Sequence, residues 1–216
     1  MKRVFLLLPI IALLALGCGQ EPDTPEKAIA EIKQAIENYD YDRFYMRVDK
    51  KSLLDAAYDD ASVELALQAS IFKARYPDDP FFQNDPEFIV NYNDLNRADH
   101  MTFINAVVDK CFERELAAPT NFGDNVIDAT AAELRNYYTT SRSILRTLGS
   151  DDKKAFVRVN ATFESLYAGG LHQLPLELEF EMQGDRWRLT KIKNVGETLD
   201  TLVDIAEKLW PQPLNH

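Results

Sequence analysis

Leu174-Pro-Leu-Glu-Leu-Glu-Phe-Glu-Met182 places an apolar side chain at every second position: Leu174, Leu176, Leu178, Phe180 and Met182. Glu177, Glu179 and Glu181 fill the gaps. A period of two is a strand with one face buried and one face wet. Downstream, Gln183-Gly184-Asp185 is a tight turn, and Arg186–Ile192 returns with Trp187 and Leu189 on the apolar side. Upstream, Val157, Val159, Ala161 and Phe163 alternate with Arg158, Asn160 and Thr162, and Gly169-Gly170 marks the connection. The expected sheet is a three-stranded antiparallel meander. Arg186, Arg188 and Lys191 are expected to face the glutamate row, each pair being worth only tenths of a kcal/mol.

A sheet with one apolar face must be covered by helices. Thr24-Pro25-Glu26 reads as a helix start, with Thr as cap and Pro in the first position. Ala28, Ile29, Ile32, Ala35 and Ile36 then recur at helical spacing through Asn38. A short helix is expected over Asp42–Val48. Ser52-Leu53-Leu54-Asp55 has the form of a capping box and opens a longer helix toward Lys73, with Leu54, Tyr58, Ala61, Leu65, Ala69 and Phe72 on its stripe. A further helix is expected over Asp99–Leu116, ended by Pro119, with Ile104, Val107, Val108 and Cys111 inward. Another begins at Thr130-Ala131-Ala132-Glu133, carries Leu134, Tyr137, Tyr138, Ser141, Ile144 and Leu145, and stops at Gly149. Asn194-Val195-Gly196-Glu197 caps a last helix with Leu199, Leu202, Val203, Ala206 and Leu209, ended by Pro211. The expected class is α+β: an N-terminal helical hairpin and further helices packed on a late sheet, with a C-terminal helix. The domain is expected over residues 25–210, with residues 19–24 as a tether and 211–216 as a tail.

Tyr76–Asn96 differs in character. It holds Pro77, Pro80 and Pro86 among acids and the aromatics Phe81, Phe82, Phe88 and Tyr92. Prolines interrupt regular structure, whereas the rings need cover. The expectation is an ordered crossing loop with a short helix near Pro86–Tyr92, and the four aromatics are the candidate binding surface. The same rings would also serve to tuck the loop onto its own core.

The first eighteen residues, MKRVFLLLPIIALLALGC, begin with Lys2 and Arg3 and continue in an apolar run over Val4–Leu16. That run falls short of the roughly 20 residues needed to span a bilayer and matches the apolar region of a secretory signal. Ala15-Leu16-Gly17-Cys18 resembles the bacterial lipobox, with Ala15 where the usual pattern has Leu. The resemblance implies lipidation of Cys18 and cleavage before it. Gly19 in place of an aspartate implies, by the same resemblance, an outer-membrane destination in a Gram-negative envelope, with the domain facing the periplasm. An ordinary cleaved signal with an incidental cysteine, or an uncleaved anchor, are the other readings.

The chain carries 24 basic and 35 acidic residues. The signal holds two of the basic ones and no acid, which leaves 22 against 35, a net of −13. Such a surface argues against nucleic acid and anionic lipid headgroups as partners. Only Cys18 and Cys111 are present, so with Cys18 lipidated no intramolecular disulfide is expected, and Cys111 reads as an inert core thiol.

Ala35-Ile36, Asp40, Phe44, Val48-Asp49 and Leu53-Leu54, followed by Gly184-Asp-Arg-Trp-Arg-Leu-Thr-Lys-Ile192, resemble a family of bacterial envelope proteins catalogued as domain of unknown function 2939. The Trp-containing strand is also similar to sheets of the nuclear-transport-factor-like and cystatin-like superfamily. The resemblance implies no activity and no functional residues.

No glycine-rich phosphate loop, G-x-S-x-G, H-E-x-x-H or C-x-x-C is present. The histidines are His100, His172 and His216. His100 and Cys111 on one helix would lie about 16 Å apart, too far to pair. Asp78, Asp79, Asp85 and Glu87, and Asn121, Asp124, Asn125 and Asp128, lack the spacing of a calcium loop and read as turn and cap residues. No catalytic residue, metal site or cofactor is expected. The functional expectation is a lipid-anchored envelope protein that binds a partner protein or a small apolar ligand. The alternative is an enzyme with a pocket between sheet and helices, built on a buried acid such as Asp40 or Asp49.

Overall fold

Thr24 caps the first helix, its Oγ1 accepting from the Lys27 N–H at 3.1 Å, and Pro25 takes the first helical position. The structure is a computed structural model and describes residues 22–209. The Met1–Cys18 reading lies outside the described residues. Helix α1 spans Pro25–Glu37, α2 Tyr41–Arg47, α3 Lys50–Leu67, α4 Ala69–Arg75, α5 Pro86–Lys110 and α6 Val126–Thr140. Strands β1 Arg142–Ser150, β2 Lys154–Glu164, β3 Leu171–Gln183 and β4 Arg186–Ile192 follow, and α7 spans Val195–Leu209. The fold is α+β, with the helices leading and the sheet late.

The sheet is antiparallel in the order β1-β2-β3-β4. It therefore has four strands, and the expectation of three is corrected by β1. Residues 142–150, expected as the end of a helix stopped by Gly149, pair with β2 from Arg142↔Thr162 to Ser150↔Ala155, with a bulge at Leu148. All nine residues of β1 are exposed. No buried face imposes a period of two on this strand, while Ile144, Leu145 and Leu148 happen to sit at helical spacing.

On one face of the sheet Val157, Ala161, Phe180, Trp187 and Leu189 are buried against Ala28, Ile32, Ala35 and Ile36 of α1 and Tyr137 of α6. The charged face is also partly covered. Lys191 reaches Asp60 of α3 at 2.7 Å, and Arg158 reaches Glu197 of α7 at 2.8 Å. This corrects the expected cross-strand charge pairing. Glu179 and Glu181 do stand opposite Lys191 and Arg188 in register, yet both pair with Lys154, and Glu179 also with Lys193. Arg188 turns instead to the carbonyls of Tyr45 and Val48. The two edges differ: the Asp49 N–H donates to the Leu189 carbonyl at 2.9 Å, so the α2–α3 corner covers β4.

The helices depart from expectation elsewhere too: α3 is capped by Asp49 rather than at Ser52, and α6 by Asn125 rather than at Thr130. The helix expected to run to Lys73 breaks at Gln68 into α3 and α4. Helix α5 starts at Pro86 behind an Asp85 cap and runs unbroken for 25 residues, so only 76–85 remains a loop. Its Asn- and Asp-rich middle has low helix propensity but packs on α3, where Asn93 donates to Ser62 Oγ at 3.0 Å in a buried contact. The helix ends at Lys110 rather than Leu116, because the Arg135 guanidinium takes the carbonyls of Lys110, Cys111 and Glu113. In α7 the buried side chains include Thr198 and Ile205, whereas Leu202 is exposed and not on the inward stripe.

Candidate functional site

The aromatics of Tyr76–Asn96 are brought together by the loop and the first turns of α5. The loop is held by its own polar side chains, as its composition demands. Asp79 accepts from the Phe81 N–H at 2.9 Å, Gln83 donates to the Tyr76 carbonyl at 3.0 Å, and Asn84 donates to the Pro80 carbonyl at 2.7 Å. Asp85 then caps α5 by accepting from the Phe88 N–H at 2.8 Å. Asp79 and Asp85 thus serve as turn and cap residues. Asn121 and Asp124 do the same around a short 3-10 turn, and Asn125 caps α6.

The rings form a row. Phe72, 2 % exposed, lies 5.1 Å from Phe82 and 6.2 Å from Tyr76 between centroids. Tyr76 and Phe82 stack at 5.3 Å. Phe81 meets Phe82 edge-on at 5.1 Å and Tyr92 at 5.1 Å, and it packs on a small core of Ala66, Ala69 and Ile89. Phe88 and Tyr92, one turn apart on α5, stack at 6.1 Å and are each 40 % exposed. The four candidate residues thus divide. Phe81 and Phe82 tuck the loop onto the body, while Phe88 and Tyr92 present ring area to solvent.

Beside the row lies a groove of about 320 Å³ between α3 and α5, lined by Tyr58, Leu65, Asn93, His100, Phe103 and Ile104 among others. Tyr92 and His100 join the two features, their rings 6.3 Å apart. The Tyr58 hydroxyl lies 2.7 Å from the Asn93 carbonyl and 2.8 Å from His100 Nδ1. A carbonyl only accepts, so the single hydroxyl hydrogen goes there. His100 Nδ1 must then be the protonated nitrogen and donate to Tyr58. Burial raises the Tyr58 pKa, and neighbouring Asp94 and Asp59 add to that against the charge of Arg97. The Arg97 guanidinium sits 4.9 Å over the Tyr58 ring. Asn93, Arg97, His100 and Ile104 follow helical spacing, a signal hidden by reading α5 as a loop and a separate helix.

At the other end of the row Tyr76 donates to Glu207 of α7 at 2.6 Å, and Arg75 grips Glu207 at 2.6 Å and Asp204 at 2.6 Å. Burial, and then donation to the Glu207 carboxylate, push Tyr76 up to about 12. Arg75 holds Glu207 below the usual range.

The remaining candidates have structural roles. Asp40 caps α2, accepting from the Arg43 N–H at 2.9 Å, and Asp49 caps α3, accepting from the Ser52 N–H at 3.1 Å. Cys111 is buried, with Sγ 3.5 Å from the Ala131 carbonyl, and burial pushes the thiol up to about 11 against a weaker pull from Arg135. Such a thiol carries almost no thiolate at neutral pH. Cys18 and His216 lie outside the described residues. Among the described residues no group of three or more His, Cys, Asp or Glu is placed to hold a metal ion, and no helix is long and apolar enough to cross a membrane.

What the row and groove offer chemically is stacking and apolar contact with a few fixed polar groups, the composition of a binding surface. Comparison with known proteins finds no matching family model, no similar curated protein and no similar solved structure.

Proposed function

We propose that this chain is a non-catalytic bacterial envelope lipoprotein, carried on Cys18, whose Phe88–Tyr92 face binds a partner protein or a small apolar ligand. The observation that carries the reading is the pair of rings left 40 % exposed on one turn of a helix, backed by Phe81, Phe82, Phe72 and Tyr76. Rigid aromatic area on a preformed support is what binding surfaces are enriched in, since little side-chain freedom is lost on contact. The filled core under the sheet supports binding over an internal pocket, with Ala155, Val157 and Phe180 at 0 % exposure. The proposed envelope location rests on the lipobox resemblance and on the acidic balance of the rest of the chain.

The test is crosslinking of the native lipoprotein in its own membrane, beside a Phe88→Ala/Tyr92→Ala variant. Both side chains are exposed, so the variant should keep its urea midpoint while capture of the partner falls about tenfold, the equivalent of 1.4 kcal/mol. Equal capture by both proteins, or recovery of nothing but bulk lipid, would count against this reading.

A further inference from the structure

Strand β1 has β2 on one side and, among the described residues, no strand on the other. In an antiparallel ladder successive residues turn their N–H and C=O alternately to one neighbour and then the other. About half of the backbone groups of β1 therefore point away from the sheet. Residues 142–147 keep regular register with β2 up to the bulge at Leu148, so this stretch is a template for one more strand.

The side chains of that stretch say what kind of strand fits. Ser143, Leu145 and Thr147 stand opposite Ala161, Val159 and Val157, on the helix-covered face. Arg142, Ile144 and Arg146 stand opposite Thr162, Asn160 and Arg158, on the other face. There Arg158 is already matched, to Glu177 at 2.6 Å and Glu197 at 2.8 Å. Arg142 and Arg146 are exposed and make no ion pair with a described residue, although the chain holds 35 acids against 24 bases. Residues 142–150 contain no acid of their own. Beside Arg142 and Ile144 a groove of about 550 Å³ opens over Asn160, Thr162 and Gln173. A strand laid antiparallel on β1 sets one side chain opposite each of Arg146, Leu145, Ile144, Ser143 and Arg142 in turn. Cross-strand matching then calls for an acid, two apolar residues, a small polar residue and a second acid. A second copy of β1 cannot supply this, because it brings two more arginines and no acid to the same row.

We propose that the free edge of β1 takes up, by strand addition, an extended segment of another protein whose two acids stand four positions apart with apolar residues between them. Main-chain hydrogen bonds hold such a segment, and the side-chain match selects it. Arg142 and Arg146 thus do two things: they repel a second β1, and they pair with an acidic strand. This surface is separate from the Phe88–Tyr92 face and does not draw on that reading.

The probe is a fluorescein-labelled peptide, Ser-Thr-Glu-Val-Ile-Thr-Glu-Thr-Ser, titrated with the full chain and followed by anisotropy. We expect it to bind about tenfold more tightly than its twin with lysine in place of both glutamates. Arg142→Glu/Arg146→Glu should reverse that preference, and Arg142→Gln/Arg146→Gln should abolish it. Both side chains are exposed, so both variants should keep the urea midpoint. The glutamate peptide with its backbone nitrogens methylated has no donors for the ladder and should bind about tenfold more weakly. Phe88→Ala/Tyr92→Ala should bind the glutamate peptide as the unsubstituted chain does. Equal binding of the two peptides overturns the proposal, as does a preference that survives both arginine variants. Full binding by the methylated peptide, or loss of binding in Phe88→Ala/Tyr92→Ala, overturns it too. A dimer seen in sedimentation that the glutamate peptide fails to dissociate gives the edge to a second copy and also overturns it.

Discussion

Arg47 holds two acids from different parts of the chain. Its side chain is 6 % exposed, and it grips Asp23 through both terminal nitrogens at 2.7 Å and Glu31 through Nε at 2.5 Å. Asp23 also accepts from the Trp187 N–H at 2.7 Å. Forked, charge-assisted bonds of this kind are the strong ones. Removing one partner from a buried ion pair leaves the other uncompensated, at about 3–5 kcal/mol. Arg47→Met should therefore lower the unfolding free energy read from urea titration by an amount in that range, with an unchanged slope. Burial raises the Asp23 pKa, but Arg47 and the Trp187 N–H outweigh it, and the net pKa lies below the ordinary 3.8. Arg47 likewise holds Glu31 below its ordinary 4.5, against a smaller burial effect. Depressed acids stabilise the fold above their unfolded values and lose that contribution as pH falls through the folded ones. Stability should be level above about pH 4.5 and decline below it, and Arg47→Met should flatten that decline. The same acid limb in both proteins, followed by urea titration at several pH values, would remove the cluster from the account. None of this is legible in the sequence. Asp23 reads as tether, because its partners stand 24 and 164 positions away.

Among the elements, burial is what made strands legible. Strands β2 and β3 alternate because one face is covered, and the sequence shows it. Strand β1 has no covered face, so its composition carries no strand period and α6 reads as running through it. The helix in fact ends at Thr140, where the Thr139 and Thr140 hydroxyls fall back on the carbonyls of Arg135 and Asn136, a competition that weakens helices. Among the described residues no strand pairs with the outer edge of β1. Arg142, Arg146 and the bulge at Leu148 are the devices that blunt such an edge. Ile144, 73 % exposed, works against them. Ile144→Lys should leave stability within about 0.5 kcal/mol by urea titration and slow aggregation on heating, read by light scattering. A large loss of stability would mean that Ile144 is covered. Helix α5 gives the opposite lesson, since its local propensity argues for interruption and contact with α3 carries it through.

For the molecule as a whole, the α+β class and the helix-covered sheet follow from the apolar periods alone. The candidate site was half legible: the aromatics are visible by composition, while the Tyr58–Asn93–His100 groove needs α3 and α5 side by side. With a net of −13 over residues 19–216, nothing in the charge balance favours gripping an anionic membrane. The proposed attachment would therefore depend on Cys18, since one acyl chain holds marginally and several hold stably. Cys18→Ser should shift the protein out of the carbonate-washed membrane fraction while its urea midpoint stays put, and unchanged fractionation would sink the lipid anchor. If Cys18 carries the proposed lipid, the Arg47 clamp would set the geometry of attachment. Asp23 is fastened to the body, and five links separate it from Cys18, about 18 Å when fully drawn out. A domain on so short a proposed leash would sweep only a thin layer above the bilayer. The proposed partner of its aromatic face would then have to reside in that layer or be delivered to it.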